Sequence, residues 1–264
     1  GKAERVGRVR DADALVIVLD AFSGTSEPSA VLAGLEEEFL LADFDVLSGR
    51  LERLQQSKTS RADRADEERE KAVLQRIHGA MEQDLRPVSE VDMSVEERKA
   101  LSGFRFLTEK PRIVVVNTTD PAATAEDVGV PGAVVLCLEI EAEIAAIESE
   151  EDRAEFLDGF GLEEAAVDRL VRAALGALGQ MVFFTVGEDE VRAWPVRVGA
   201  TAVEAAGEIH SDLARGFIRA EMCTWEEMRD AGGEREAKAA GVIRLEERTA
   251  IVSDGDILHV RFSV

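Results

Sequence analysis

Residues 14–19 read Ala-Leu-Val-Ile-Val-Leu and form an uninterrupted apolar run that ends at Asp20. The run is too short for a buried helix and rich in β-branched residues, which is typical of a strand buried in a parallel sheet. Two similar runs follow much later, at 113–116 (Ile-Val-Val-Val) and at 133–137 (Ala-Val-Val-Leu-Cys). Because parallel strands need long crossover connections, the three runs predict an α/β sheet with parallel neighbours in chain order.

The segment between the first two runs has the periodicity of helices. Apolar residues recur at helical spacings between 28 and 57, as in a two-helix bundle or coiled coil, notably at Leu40, Leu47, Leu51 and Leu54. Residues 58–70 are almost entirely polar and are predicted to contain a turn. A second helix then returns as far as Pro87, with apolar positions at Val73, Leu74, Ile77 and Met81. The segment is therefore predicted to be a helical hairpin whose charged residues are solvated flanks.

Further helices are predicted on either side of the second and third strands. Residues 94–97 (Ser-Val-Glu-Glu) match a capping box, which predicts a helix that continues to about 107 before Pro111 leads into the second strand. After the third strand, 139–158 is acidic and helical with an interruption near 148–151, and a further helix covers 163–178.

The remaining residues show the sequence pattern of short strands. The segments 181–186 and 190–197 alternate with a period of two around a predicted turn at 187–189, which indicates a β-hairpin. Thr201 is predicted to cap a small helix. The other predicted elements are strands at 217–222, 242–245, 250–252 and 257–262 and short helices at 225–229 and 234–240. Together they predict a small α+β domain of β-grasp type.

Composition and charge exclude several function classes. The 264 residues carry 31 basic and 54 acidic side chains, a formal net charge of −23, so naked DNA or RNA is an unfavourable partner. No apolar run approaches the length of a membrane span. The two cysteines, Cys137 and Cys223, lie in apolar runs and are expected to be buried thiols in a reducing cytosol. The three histidines show no metal-ligand spacing with them, and no metal site is predicted.

A series of motifs in the last third of the chain closely resembles the C-terminal TGS domain of the YchF/Obg-like family of P-loop ATPases and GTPases. The motifs occur in order, at 183–187 (Phe-Phe-Thr-Val-Gly), 190–194 (Glu-Val-Arg-Ala-Trp), 199–202 (Gly-Ala-Thr-Ala), 205–210 (Ala-Ala-Gly-Glu-Ile-His), 216–221 (Gly-Phe-Ile-Arg-Ala-Glu) and 254–259 (Asp-Gly-Asp-Ile-Leu-His). Upstream, 10–15 (Arg-Asp-Ala-Asp-Ala-Leu) and 106–111 (Phe-Leu-Thr-Glu-Lys-Pro) resemble the family's entries into its nucleotide domain, and the hairpin matches its coiled-coil insertion.

The resemblance implies a fold and a domain order. The fold is that of a partial P-loop parallel sheet with an inserted helical hairpin, followed by a β-grasp-like TGS domain. The implied domains are a nucleotide-domain remnant at 1–27 and 107–178, a hairpin insertion at 28–106 and a TGS domain at 179–264.

The phosphate-binding elements of such a protein do not occur in the 264 residues. A phosphate loop of the form Gly-x4-Gly-Lys-Ser/Thr is not found, and the single Gly-Lys pair is Gly1-Lys2. The chain is therefore expected to be a fragment, or a truncated paralogue, of a longer nucleotide-binding protein. ATP or GTP with magnesium is expected in that parent, and tight nucleotide binding is not expected for this chain.

A base-recognition element is expected after the second strand, where 117–120 reads Asn-Thr-Thr-Asp. The carboxyl ends of parallel strands are where α/β sheets bind ligands, and a carboxylate there can accept hydrogen bonds from guanine. The resemblance implies that Asn117 and Asp120 form this element, with Cys137 and Leu138 in a second base loop. Asp120 favours GTP, whereas Thr118 replaces the family's base-covering Lys, so the choice of base stays open.

Two functions are predicted. The first is that of the C-terminal part of a YchF-like nucleotide hydrolase, coupled in its parent to the ribosome or a translation-linked partner in the cytoplasm. Whether the chain is itself an enzyme is left open, and no catalytic residue is assigned. The alternative is a non-enzymatic TGS adaptor that docks on a protein or ribonucleoprotein partner.

Overall fold

A computed structural model describes residues 9–57, 64–187 and 190–263. The charged residues at 2–12 also predict a short helix; residues 2–8 lie outside those described, and residues 9 and 10 are helical. Two compact units make up the chain, 1–173 and 174–264. The three-part domain division given above stays a prediction.

The first unit contains a three-stranded parallel sheet in the order β1 (Leu15–Asp20), β2 (Arg112–Asn117) and β3 (Val134–Leu136). Leu15 pairs with Arg112, and Val116 pairs with Val135. The predicted parallel order is confirmed.

The prediction that the first strand is wholly buried is wrong. Leu15, Ile17 and Leu19 of β1 are buried, but Val16 and Val18 on its other face are 51% and 61% exposed. β1 is an outer strand of the described sheet, and its buried face packs against Leu32, Leu35 and Phe39, whereas no apolar cluster among the described residues covers the face that carries Val16 and Val18. An apolar run therefore does not by itself distinguish a central strand from an outer one.

The hairpin consists of α1 (Pro28–Gln56) and α2 (Arg64–Asp84). Its core contains most of the predicted positions and is extended by the segment that follows α2: Leu47, Leu51, Leu54, Val73, Leu74, Ile77, Met81, Val88, Val91, Leu101 and Phe106. α2 begins at Arg64, inside the polar stretch 58–70 that is predicted to contain the turn. Acidic side chains suit the first turn of a helix, which explains why this polar stretch is helical; residues 58–63 lie outside those described.

A buried carboxylate joins three separate segments at the base of the hairpin. Asp43 of α1 is fully buried and accepts hydrogen bonds from the backbone N–H groups of Leu107 (3.0 Å) and Thr108 (2.8 Å) and from the Thr108 hydroxyl (2.9 Å). The guanidinium of Arg10 lies 2.7 Å from the same carboxylate. The Thr108 hydroxyl also accepts the Val88 N–H at 3.1 Å, so the residues after α2 are held by the same cluster.

Helices follow the strands of the first unit as predicted, with shifted ends. The capping box at Ser94 is present and starts α3 (Val95–Leu101), but the chain then forms 3₁₀ turns instead of continuing as a helix to 107. The later helices are α4 (Leu138–Ala146), α5 (Glu150–Gly159) and α6 (Ala166–Ala177). The last begins three residues later than predicted, where the Glu141 side chain accepts the Ala166 N–H at 2.9 Å.

The second unit is an α+β domain built on a five-stranded sheet in the order β5-β4-β8-β6-β7. Its elements are β4 (Gln180–Val186), β5 (Val191–Arg197), α7 (Ala202–Ile209), α8 (Ser211–Arg215), β6 (Phe217–Thr224), α9 (Trp225–Ala231), α10 (Glu234–Ala240), β7 (Arg244–Glu246) and β8 (Asp256–Phe262). The central strand β8 runs parallel to β4 and antiparallel to β6.

One predicted strand of this unit is absent. Residues 250–252 form no strand and make only an isolated bridge from Ile251 to Thr201. The segment instead contacts the start of α7, where the Ala202 N–H donates to the Ala250 carbonyl at 2.8 Å. The predicted turn after β4 includes residues 188 and 189, which lie outside those described.

Replacing Asp43 with Ala should destabilise the first unit by about 3–5 kcal/mol, because it leaves the largely buried Arg10 guanidinium without its counter-ion and two backbone N–H donors without their acceptor. Far-UV circular dichroism during urea unfolding measures this change. Trp194 and Trp225, the two tryptophans, lie in the second unit, so their fluorescence transition should stay in place. Asp45→Ala, an exposed change on the same helix, is the control. Equal effects at both positions would contradict the assignment.

The pH dependence of the second unit should include a contribution from Glu204. Hydrogen bonds from the Thr201 N–H and hydroxyl, and then from Arg197, lower the pKa of Glu204 to about 2. A lowered folded-state pKa stabilises the fold above the unfolded value near 4.5, and this stabilisation is lost as pH falls towards about 2. Glu204→Gln keeps the capping geometry without the charge. Its deficit in the urea midpoint, measured by tryptophan fluorescence, should therefore shrink between pH 6 and pH 2; a constant deficit would contradict this.

Candidate nucleotide-binding edge

The carboxyl ends of the three parallel strands lie side by side at one edge of the first sheet. There β1 ends at Asp20, β2 at Asn117 and β3 at Leu136. At this edge the chain leaves each strand in a loop or a helix N-terminus, which is where α/β sheets bind ligands.

Asn117 connects the chain segments that leave the three strands. Its carbonyl accepts the Ala21 N–H at 2.8 Å, which fixes the residue after β1. Its side-chain Oδ1 accepts the Leu138 N–H at 3.0 Å, which fixes the first residue of α4 after β3. One residue therefore bonds to both adjacent connections.

Asp120 lies in the loop after β2 with its side chain exposed. One carboxylate oxygen accepts the Ala122 N–H at 2.9 Å, and its own N–H donates to the Thr118 hydroxyl at 3.3 Å. The second oxygen has no protein partner among the described residues. Thr118 is buried and donates its N–H to the Leu136 carbonyl at 2.9 Å, so the start of this loop is fixed to β3.

Cys137 and Leu138 differ in what they present at the edge. Cys137 is 5% exposed, so its thiol belongs to the interior, and it stands at the N-terminal boundary of α4. Leu138 is 51% exposed, but its backbone N–H is already used by Asn117. The structure therefore brings Asn117, Asp120 and the Leu138 side chain to the surface of one edge and places the Cys137 side chain beneath it.

Asp20, which is not among the predicted site residues, stands at the same edge. Its carboxylate accepts the Ser23 hydroxyl at 2.6 Å and the N–H groups of Phe22 and Ser23 at 2.9 and 3.1 Å. The hydrogen bonds from Ser23, and the weaker one from Phe22, hold the pKa of Asp20 below its usual value. The sequence signal for this residue is an acidic side chain at the end of an apolar run. In the structure, the Asp20 carboxylate fixes the turn that follows β1.

The electrostatic environment of this edge is negative. Residues 111–178 carry 4 basic and 15 acidic side chains, and these include Asp120 and Glu139. A triphosphate approaching from solvent is therefore repelled at low salt, whereas a neutral base is not. Taken by itself, this edge is suited to the base end of a nucleotide.

Comparisons with known proteins agree with this architecture. The family model YchF-GTPase_C, described as "Protein of unknown function (DUF933)", matches residues 180–263. The ribosome-binding ATPase YchF of Bacillus subtilis is 35% identical over an alignment 283 residues long. The alignment covers 98% of this chain and 75% of the B. subtilis protein. The protein of the same name from Haemophilus influenzae is 36% identical over 279 residues with the same coverage. Obg-like ATPase 1 of Bos taurus is 35% identical over 185 residues, and the alignment covers 65% of this chain and 46% of the bovine protein.

A solved structure shows the same fold. The YchF GTPase of Schizosaccharomyces pombe superposes with a TM-score of 0.79 at 23% identity. The superposition covers 97% of this chain and 74% of the S. pombe chain. The fold and the curated relatives together place the protein in the Obg-like class of P-loop proteins. Within that class, the identity and coverage of the bacterial relatives show that the chain belongs to the YchF family.

Among the described residues, no helix combines the length and the apolar character that crossing a bilayer requires.

Replacing Asn117 with Ala should release the N-terminus of α4 at a cost of about 1 kcal/mol, because the Leu138 N–H loses its side-chain acceptor. Amide hydrogen exchange at Leu138 measures the effect directly and should become faster. Asn117→Asp retains an acceptor oxygen and should restore most of the protection. Thr119→Ala, an exposed change two residues further along the chain, is the control. If this variant accelerates exchange of the Leu138 amide to the same degree, the assignment is contradicted.

Proposed function

We propose that this chain supplies the base end of the nucleotide site of a YchF-like hydrolase, together with the parts that dock on a partner. The observation that supports this most directly is the Asn117 junction with the exposed Asp120 carboxylate three residues further on. A rigid sheet edge with one accepting oxygen still available is the arrangement that recognises a base by its donor groups.

The proposed contact runs through Asp120. Its second carboxylate oxygen can accept from N1–H and the exocyclic amine of guanine, but only from the exocyclic amine of adenine. This favours GTP at the base, whereas the bacterial relatives are named ATPases and the S. pombe protein is named a GTPase. The choice of base is therefore part of the test.

Phosphate contacts and magnesium are proposed to come from outside these 264 residues, because Gly-x4-Gly-Lys-Ser/Thr does not occur in them. Two or three hydrogen bonds to a base contribute about 1–3 kcal/mol net, whereas millimolar affinity needs about 4 kcal/mol. Phosphoryl transfer depends on the phosphate loop and its metal ion. We therefore expect the isolated chain to bind either nucleotide more weakly than about 1 mM and to release no phosphate.

A ribosomal or translation-linked partner in the cytoplasm is proposed from the names of the bacterial relatives, which are called ribosome-binding. The hairpin and the second unit are the proposed docking parts, since neither contributes a residue to the sheet edge described above. The alternative of a non-enzymatic adaptor uses the same docking parts without a nucleotide.

Nuclear magnetic resonance titration of the labelled chain with ATP and with GTP, in magnesium buffer, tests the nucleotide proposal. Amide shifts should move at 117–120, Ala122 and Leu138, without saturating at about 1 mM, and more with GTP than with ATP. Asp120→Ala should abolish these shifts. Glu126→Ala, which removes one exposed acidic charge from the same loop, should leave them unchanged.

Two outcomes would contradict the proposal. Shifts that survive in Asp120→Ala, or that lie away from the sheet edge, would favour the adaptor. A low-micromolar dissociation constant, or turnover that Asp120→Ala abolishes, would mean that residues of this chain hold the phosphates.

A further inference from the structure

An open groove lies at the base of the hairpin, away from the edge residues Asn117 and Asp120. It has a volume of about 530 Å³ and runs between the first half of α1 and the residues that follow α2. Its α1 wall consists of one helical face, with Ala33, Glu37 and Leu41 spaced four residues apart. The opposite wall comes from the segment that includes Leu85, Pro87 and Glu90.

Apolar side chains form the floor and both lips of this groove. Leu40 packs partly into the hairpin core and closes the floor. Leu41 on one lip is 63% exposed and Leu85 on the other is 70% exposed. Single exposed apolar residues are ordinary, but two exposed leucines that line one groove present an apolar surface that a partner can cover.

Leu85 is held in a conformation that its residue type disfavours. It follows the last residue of α2 with a φ of +52°, in the left-handed region where Gly or Asn usually ends a helix. A branched side chain there strains the backbone, and this one is 70% exposed, so burial in the described chain does not compensate for the strain. The strained backbone keeps an apolar side chain at the lip of the groove.

The charges on the rim are acidic on both sides. Glu37 on α1 and Glu90 on the opposite wall are exposed and have no ion-pair partner among the described residues. Glu36 forms an ion pair with Arg112 at 3.1 Å. The guanidinium of Arg112, which also lines the groove, is therefore already paired. An apolar groove with carboxylates on both rims attracts a cationic amphipathic ligand and repels nucleic acid.

We propose that this groove binds a basic amphipathic helix of a protein partner, with apolar side chains between Leu41 and Leu85 and Lys or Arg side chains beside Glu37 and Glu90. The α1 face from 33 to 41 extends about 12 Å, which matches roughly two turns of a partner helix. This docking site is independent of the nucleotide proposal, because it shares no residue with the sheet edge.

Fluorescence anisotropy with a synthetic peptide of about 14 residues, with Leu along one helical face and Lys elsewhere, tests the proposal on the full chain. A peptide of the same composition, scrambled so that the Leu residues no longer share a face, controls for net charge. We expect the patterned peptide to bind at least about tenfold more tightly.

Two variants of the protein locate the binding site. Leu41→Gln combined with Leu85→Gly removes both lips, and Gly at 85 relieves the backbone strain, so the fold is retained. This variant should weaken binding about tenfold or more, whereas Val167→Gln, an exposed aliphatic change on α6, should alter it less than about twofold. Glu37→Gln with Glu90→Gln should weaken binding at low salt and flatten its salt dependence, unlike Glu155→Gln with Glu163→Gln, which removes the same charge elsewhere.

Three results would overturn the proposal. Equal binding of the scrambled peptide, or equal effects of the two glutamate pairs, would mean general attraction to an acidic protein. Unchanged binding in the Leu41/Leu85 variant would place the peptide elsewhere. A dimer in sedimentation experiments that this variant dissociates would mean that a second copy of the chain occupies the groove.

Discussion

The first unit depends on one buried carboxylate. Asp43 has no exposed surface, and four donor groups from two other segments surround it: the Arg10 guanidinium, the N–H groups of Leu107 and Thr108, and the Thr108 hydroxyl. A carboxylate removed from water is tolerated only when its oxygens are fully hydrogen-bonded, so these segments can pack against α1 in one arrangement only. The residues that Asp43 holds lead directly into β2, and β2 ends at the candidate nucleotide-binding edge.

The second constraint acts at the other end of β2. Asn117 uses its carbonyl to hold the residue after β1 and its side chain to hold the start of α4. The edge is therefore positioned by Asn117, whose backbone carbonyl and side-chain oxygen are both engaged, while Asp120 keeps one carboxylate oxygen available. This division between a positioning residue and a contacting residue explains why both belong to one motif although only one is proposed to contact the base.

Local patterns made much of the fold predictable. The apolar runs gave the parallel sheet, and the Ser94 and Thr201 capping boxes gave two helix starts, because these signals lie within a few residues of what they determine. The Asp43 cluster was missed because its partners are 64 and 65 residues away. The exposure of Val16 and the loss of the strand at 250–252 were also missed, since both depend on which segments lie beside them. The candidate site residues were predicted from the family motif and stay a prediction, whereas the strain at Leu85 is visible only in the backbone.

Amide hydrogen exchange in an Asp43→Asn variant tests most directly whether this buried carboxylate organises the unit. The substitution retains the size of the side chain but places an NH₂ group among the donors. If the account is right, protection falls at Leu107 and Thr108 and also at the edge amides of Ala21 and Leu138, while Ala202 and Val252 of the second unit keep theirs. A loss of protection confined to Leu107 and Thr108, with the sheet edge unchanged, would contradict the account.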